Sequence, residues 1–272
     1  MGTARVVFDR WSDRYAERLG GVRSSAVRDL FAAASRSDMI SLSGGMPEVS
    51  QVPAAAVAAA AREAVLHEGS AALQYGSSEG RVEIRTLVTE LMAEIGVRLS
   101  PSDVVVTAGA QQALDLLGKA FLDPGDIIIT EGPTYVGALQ AFSAYQPDIR
   151  CIPMDDDGMR VDVLEEELRR VGPRGAKFIY TIPNFQHPAG VTLSPERRRR
   201  LLELAREYDI PVVEDDPYGR LRFEGGHMKP LRSLDDEVIY LGTFSKIFAP
   251  GLRLGWVTAP KPILAKLLLV KQ

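Results

Sequence analysis

From Val104 onward the chain alternates short apolar runs with longer amphipathic stretches, and this alternation limits the available folds more than any other feature. Val104 to Thr107, Ile127 to Ile129, Ile149 to Ile152, Lys177 to Tyr180 and Pro211 to Glu214 read as strands. Gln111 to Leu122, Pro133 to Tyr145, Val161 to Val171 and Pro195 to Tyr208 read as the helices between them. Strands joined through helices run parallel, and a parallel sheet must be covered on both faces. The expected fold is therefore α/β, a mostly parallel sheet with helices on both faces. Ligands bind such sheets beyond the carboxyl ends of the strands. Gly109 to Gln111, Asn184 to Gly190, Asp215 and Lys246 fall at those ends.

Ahead of the alternation, residues 1 to about 45 read as an arm carrying one helix, in the stretch SSAVRDLFAAAS with apolar Val27, Leu30 and Phe31. Ser41 to Pro47 is a glycine-containing loop. Pro53 opens a helix to about His67, Gln74-Tyr75-Gly76 starts a polar loop, and Gly80 to Glu94 is a further helix.

Composition narrows the function. The 272 residues carry a net charge of -4, which argues against nucleic acid as the main partner. One cysteine, Cys151, excludes an internal disulfide and a Cys-based metal site, and suits a reducing cytoplasm. His67, His187 and His227 lie far apart without metal-ligand spacing. The N-terminus lacks the apolar core of a secretory signal, and the alanine-rich stretch from Pro53 to Ala61 is too short to span a membrane. Asp155-Asp156-Asp157-Gly158 lacks the alternate spacing of a calcium loop and reads as a turn. Arg197 to Arg200, flanked by Glu196 and Glu203, reads as a solvated helix face. Neither a GxxxxGK[ST] loop nor a GxGxxG between strand and helix occurs.

The chemistry concentrates at the strand ends. Val238 to Leu241 is a short apolar strand that delivers Lys246 through Gly242 to Ser245, and Ala249-Pro250-Gly251 bends the chain into a second strand over Leu252 to Val257. Lys246 and Arg253 thus flank one turn. Ala108-Gly109-Ala110-Gln111 opens a helix whose free N–H groups favour an anion. Thr243, Ser245 and Arg253 can add hydrogen bonds and charge to the same phosphate. Asp215 ends an apolar strand, so its carboxylate seeks a cation, and Tyr218 follows three residues later. A phosphate site, a buried carboxylate, a phenol and an amine together suit pyridoxal 5′-phosphate.

The segments TAGAQQALDLLGKAFLDPGD, EGPTYVGALQAF, IPNFQHPAG, VEDDPYGRLRFEG and YLGTFSKIFAPGLRLGWV, with SLSGGMPE and LQYGSSEG, resemble fold-type I pyridoxal-phosphate enzymes. The resemblance is to the class I/II branch that contains 2-aminoadipate aminotransferases and the aminotransferase-like domains of MocR-type regulators. It implies that Lys246 is the Schiff-base lysine and proton shuttle, and that Asp215 pairs with the pyridinium nitrogen. Tyr218 would bond the phenolic oxygen, and Tyr135 would stack on the ring. Gly109, Ala110, Gln111, Thr243, Ser245 and Arg253 would surround the phosphate. Tyr75 would reach the cofactor of a neighbouring subunit, implying a homodimer. Gly45 and Arg28 would lie near the substrate, although Arg28 also reads as a helix-surface arginine.

Two departures from the family pattern stand out. FQHPAG places His187 where relatives carry the asparagine that donates to the phenolic oxygen; an imidazole can donate one such bond. The resemblance also implies a smaller C-terminal domain, carrying the arginine for the substrate α-carboxylate, after Gln272. The expected layout is an arm and part of the small domain over 1–50 and the cofactor-binding large domain over 51–272, as a truncated form. The function implied is amino-group exchange between an amino acid and a 2-oxo acid. A regulator's effector-sensing domain, a lyase on the same scaffold and an inactive remnant are the alternatives.

Overall fold

The computed structural model describes residues 9–21 and 45–272. The arm helix expected around Val27, and Arg28 with it, lie outside these residues. Eight strands form one sheet: β1 (Val105–Thr107), β2 (Ile127–Gly132), β3 (Asp148–Asp155), β4 (Gly158–Met159), β5 (Ile179–Thr181), β6 (Val212–Asp215), β7 (Ile239–Thr243) and β8 (Gly255–Thr258). Their order is β1-β8-β7-β6-β5-β2-β3-β4. The central pairs, from β3 through β2, β5 and β6 to β7, are parallel. β8 runs antiparallel between β7 and β1. The described helices are α1 (Ala54–Glu68), α2 (Ser70–Leu73), α3 (Val82–Glu94), α4 (Ala110–Phe121), α5 (Val136–Ser143), α6 (Val161–Val171), α7 (Pro195–Glu207) and α8 (Lys261–Lys271). None is long and apolar enough to cross a membrane.

Successive strand residues face opposite sides of the sheet. Ile128, Tyr180 and Val213 pack with Leu114 and Leu117 of α4, Phe142 of α5 and Leu264 and Leu267 of α8. Their neighbours Ile129, Ile179 and Val212 pack with Leu164 and Leu168 of α6 and Leu201 and Leu204 of α7. Both faces are covered, as the aliphatic strand sequences require. Each fully buried aliphatic or aromatic side chain contributes about 1.5–3 kcal/mol. Phe142 also meets Phe178 and Tyr180 with ring centroids 5.2 and 5.6 Å apart.

Two local expectations need correction. The strand expected from Leu252 begins only at Gly255; Pro250–Leu252 is a 3-10 turn, and Arg253 sits in the left-handed region at φ +51°. Arg253 is therefore a loop residue. The basic run is also not uniformly solvated. Arg198 is 2% exposed and donates to the carbonyls of Pro183, Leu193 and Lys229 and to Asn184 Oδ1. It shares the inner face of α7 with Leu201, Leu202 and Ala205 at helical spacing. Arg197, Arg199 and Arg200 instead pair with acidic side chains near the surface. The Asp155–Gly158 segment is a turn as expected, closing the β3–β4 hairpin.

Candidate active site

Strand ends and the loops that follow them enclose a cavity of ≈ 260 Å³. Its floor includes Asp215 at the end of β6. Asp215 has the strand phase of Val213, so it faces the α4 side. It is 3% exposed and accepts one hydrogen bond, 2.7 Å from the Tyr180 hydroxyl. Burial pushes its carboxyl up to about 7, against the Tyr180 bond, and the nearby Asp216 carboxylate adds to the rise. A carboxylate so placed favours a cation beside it.

The opposite part of the cavity favours an anion. Ala110 and Gln111 begin α4, a helix whose first residues receive no side-chain cap from Gly109. Free N–H groups at such an end carry partial positive charge. The Arg253 guanidinium lies across them, donating to Ala108 O at 3.3 Å and Pro250 O at 3.1 Å. Gly109 adopts φ +76°, and a Cβ there would lie 2.5 Å from Arg253 Nη2, so glycine permits both the turn and the approach. Thr243 Oγ1 and Ser245 Oγ, 3.0 Å apart, line the same side. The Gln111 side chain is engaged elsewhere, donating to Gly137 O at 2.9 Å, which leaves its backbone N–H for an anion.

Lys246 enters between these two regions. Its Nζ donates to Gly45 O at 3.0 Å and lies 5.7 Å from the Tyr218 ring centroid. Burial lowers its pKa, which enlarges the fraction of free amine. Tyr218 is held up by burial, with Tyr135 and Asp215 adding to the effect. His187 packs edge-on to Tyr135, with centroids 5.7 Å apart, and its Nδ1 is buried without a partner among the described residues. Burial, and secondarily the Lys246 charge, lower the His187 pKa and favour neutral imidazole.

The cavity thus gathers Ala110, Gln111, Tyr135, His187, Asp215 and Tyr218. Thr243, Ser245, Lys246 and Arg253 line it as well, with Gly109 and Gly45 in contact. Tyr75 is not part of it; the residue is 99% exposed.

The sequence model for aminotransferase class I and II matches residues 37–272. The chain belongs to the class I and II aminotransferase family. It is 46% identical over 263 residues to the aromatic-amino-acid aminotransferase 1 of Thermococcus litoralis, covering 95% of this chain and 63% of that protein. It is 40% identical over 267 residues to the 2-aminoadipate transaminase of Thermus thermophilus, covering 96% and 65%. The kynurenine aminotransferase of Pyrococcus horikoshii, solved in complex with PMP, KYN as substrate and KYA as product, superposes with a TM-score of 0.87. That match has 44% identity and covers 96% of this chain and 66% of the other. The chain therefore spans a little under two thirds of the length of the two curated relatives.

This class I and II family member holds supporting residues that sequence reasoning missed. Tyr180, the only donor to the Asp215 side chain among the described residues, sits on the neighbouring strand, where Tyr180 pairs with Val213. A phenol closing the buried-type run Phe178-Ile179-Tyr180 was the available signal. Asp216 accepts from Asn184 Nδ2 and from the Gly219 amide, each at 3.0 Å, and so ties down the turn that carries Tyr218.

Proposed function

We propose that the chain is the cofactor-binding part of a pyridoxal-phosphate-dependent aminotransferase that exchanges an amino group between an amino acid and a 2-oxo acid. One observation carries this reading: a single cavity joins an anion cradle, a half-buried amine and a buried carboxylate that no cation of the described residues pairs with. Those features fit a phosphorylated pyridine aldehyde. When bound, this group supplies an aldehyde for amino groups and a ring that accepts electrons from the adjacent carbon.

Each side chain then has a defined task. Arg253, the α4 N-terminus, Thr243 and Ser245 would hold the phosphate. Asp215 would hold a proton on the ring nitrogen, which would offset the burial of its own charge. Tyr218 and His187 would donate to the phenolic oxygen, and Tyr135 would pack against the ring. Lys246 would anchor the group and, as an amine of lowered pKa, would carry the proton. Gly45, in contact with Lys246 and close to Tyr218, borders the substrate's place.

The proposed assembly is a homodimer in the cytoplasm, with residues 1–50 as an arm and part of a small domain and 51–272 as the cofactor-binding large domain. Exposed side chains support the association: α1 buries none of its residues, and Leu73 and Tyr75 are 76% and 99% exposed. Tyr75 would reach the partner's phosphate from that face.

The test is absorbance. Purified protein with added pyridoxal 5′-phosphate should develop a band near the visible edge, and Lys246→Ala should lack it. No band in either form overturns the reading. A panel of amino donors with 2-oxoglutarate then separates the chemistries: a transaminase needs the acceptor, a lyase does not, and a sensor or remnant turns nothing over.

A further inference from the structure

Another buried carboxylate, two strands from Asp215 in the sheet, plays no part in the scheme above. Glu131, near the end of β2, is 1% exposed. It accepts from the Thr181 hydroxyl at 2.5 Å, from the Ile182 amide at 3.2 and 3.3 Å to its two oxygens, and from Gln186 Nε2 at 3.0 Å. Gln186, itself 2% exposed, also donates to Pro133 O at 2.8 Å and accepts from the Ala189 amide at 3.0 Å. Two loops are thereby bolted together. One runs on from β2 to Tyr135, the other from β5 to His187, and both of those rings line the cavity.

We propose that Glu131 is a positioning residue that, through Gln186, sets Tyr135 and His187 against each other at the ring-binding side of the cavity. The inference rests on the functional reading above. Its physical basis is satisfaction of a costly group. A buried carboxylate is tolerated where several donors converge on it, and it then restricts every group that donates. Here the donors come from two positions on β5 and its extension and from the His187 loop. Burial raises the Glu131 pKa to about 7, against these donors, so the clamp is strongest when the carboxylate is ionised. The phosphate side is built from other elements, α4 and the loop before β8; Gln111 of α4 does donate to Gly137 O beyond Tyr135, but among the described residues no hydrogen bond joins Arg253, Thr243 or Ser245 to Glu131 or Gln186.

That separation supplies the test. Glu131→Gln, Gln186→Met and the double variant are compared with wild type for binding of pyridoxal 5′-phosphate, binding of inorganic phosphate, and the pH at which the bound-cofactor band titrates. Loss of a charge-assisted buried bond should weaken pyridoxal 5′-phosphate about tenfold or more in each single variant. The double variant should be no weaker than the worse single one, because both changes break one bridge. Inorganic phosphate should bind within about twofold of wild type, and the titration midpoint should move as His187 shifts. Equal weakening of both ligands would mean general damage to the fold and overturn the proposal. Unchanged pyridoxal 5′-phosphate binding and titration in the single variants would also overturn it. If wild type takes phosphate but not pyridoxal 5′-phosphate, the functional reading itself falls.

Discussion

The Tyr180 hydroxyl donates to Asp215 Oδ2 across 2.7 Å from the adjacent parallel strand. This single bond is insufficient to keep the buried carboxyl at its ordinary value, and its pKa rises from 3.8 to about 7. The folded state therefore holds a proton that the unfolded state has released. Stability from this group is full below about pH 4 and is lost as pH rises through about 7. Asp215→Asn should flatten that part of the profile, measured as the difference from wild type because Glu131 and Glu214 are raised as well. Without cofactor the variant should melt above wild type at pH 8. With pyridoxal 5′-phosphate the order should reverse. Tyr180→Phe should destabilise the fold at high pH by roughly the 1–3 kcal/mol that an unsatisfied buried acceptor costs, read as a lower melting temperature.

Lys246 should react at lower pH than an exposed lysine, since burial disfavours its charged form. A pH series of cofactor capture, followed by borohydride trapping and mass spectrometry, should label Lys246 with a midpoint below the ordinary lysine range. Labelling spread over surface lysines would contradict this.

His187 is set to be neutral near pH 7 by burial and by the Lys246 charge. Its protonation should alter the bound-cofactor spectrum at a pH below the ordinary imidazole range, because both effects lower its pKa. His187→Asn should remove that dependence while retaining binding within about tenfold, since an amide also donates one hydrogen bond.

Arg198 and Arg199 are neighbours with opposite fates. Arg198→Ala strands the buried carbonyls of Pro183 and Leu193, the Lys229 carbonyl and the Asn184 oxygen, and should cost about 3 kcal/mol or more in denaturant unfolding. Arg199→Ala removes one exposed pair and should stay within about 0.5 kcal/mol of wild type. Equal effects would refute the assignment of Arg198 to the inner face.

Gly242 stands opposite Trp256 in the β7–β8 pair, and a Cβ there would lie 2.2 Å from the indole ring. Gly242→Ala should displace the ring, destabilise the protein by about 1–3 kcal/mol and change its tryptophan emission.

Much of this architecture was legible because parallel strands buried on both faces are written as continuous aliphatic runs, as at Ile127 to Ile129 and Val212-Val213. The residues at their ends, Asp215 and Lys246 among them, stood out against that background. What escaped notice depends on pairings between distant segments. Tyr180 has meaning only once β5 lies beside β6, and Glu131 only once Gln186 folds back on Pro133. Arg198 hid in a basic run because one residue's phase on α7 separates its buried guanidinium from the exposed Arg199 beside it. The delayed start of β8 was invisible because Leu252 to Leu254 has strand-like composition but follows the turn at Pro250.

The antiparallel placement of β8 between β7 and β1 has a kinetic consequence. Thr107 pairs with Gly255, and this register brings Ala108 against Arg253, 145 residues later. Contacts of such sequence separation close slowly. The anion cradle cannot exist in either half of the chain alone, so the gain of phosphate affinity during refolding acts as a clock for sheet closure. It should lag the far-ultraviolet signal of the helices, which form from local sequence.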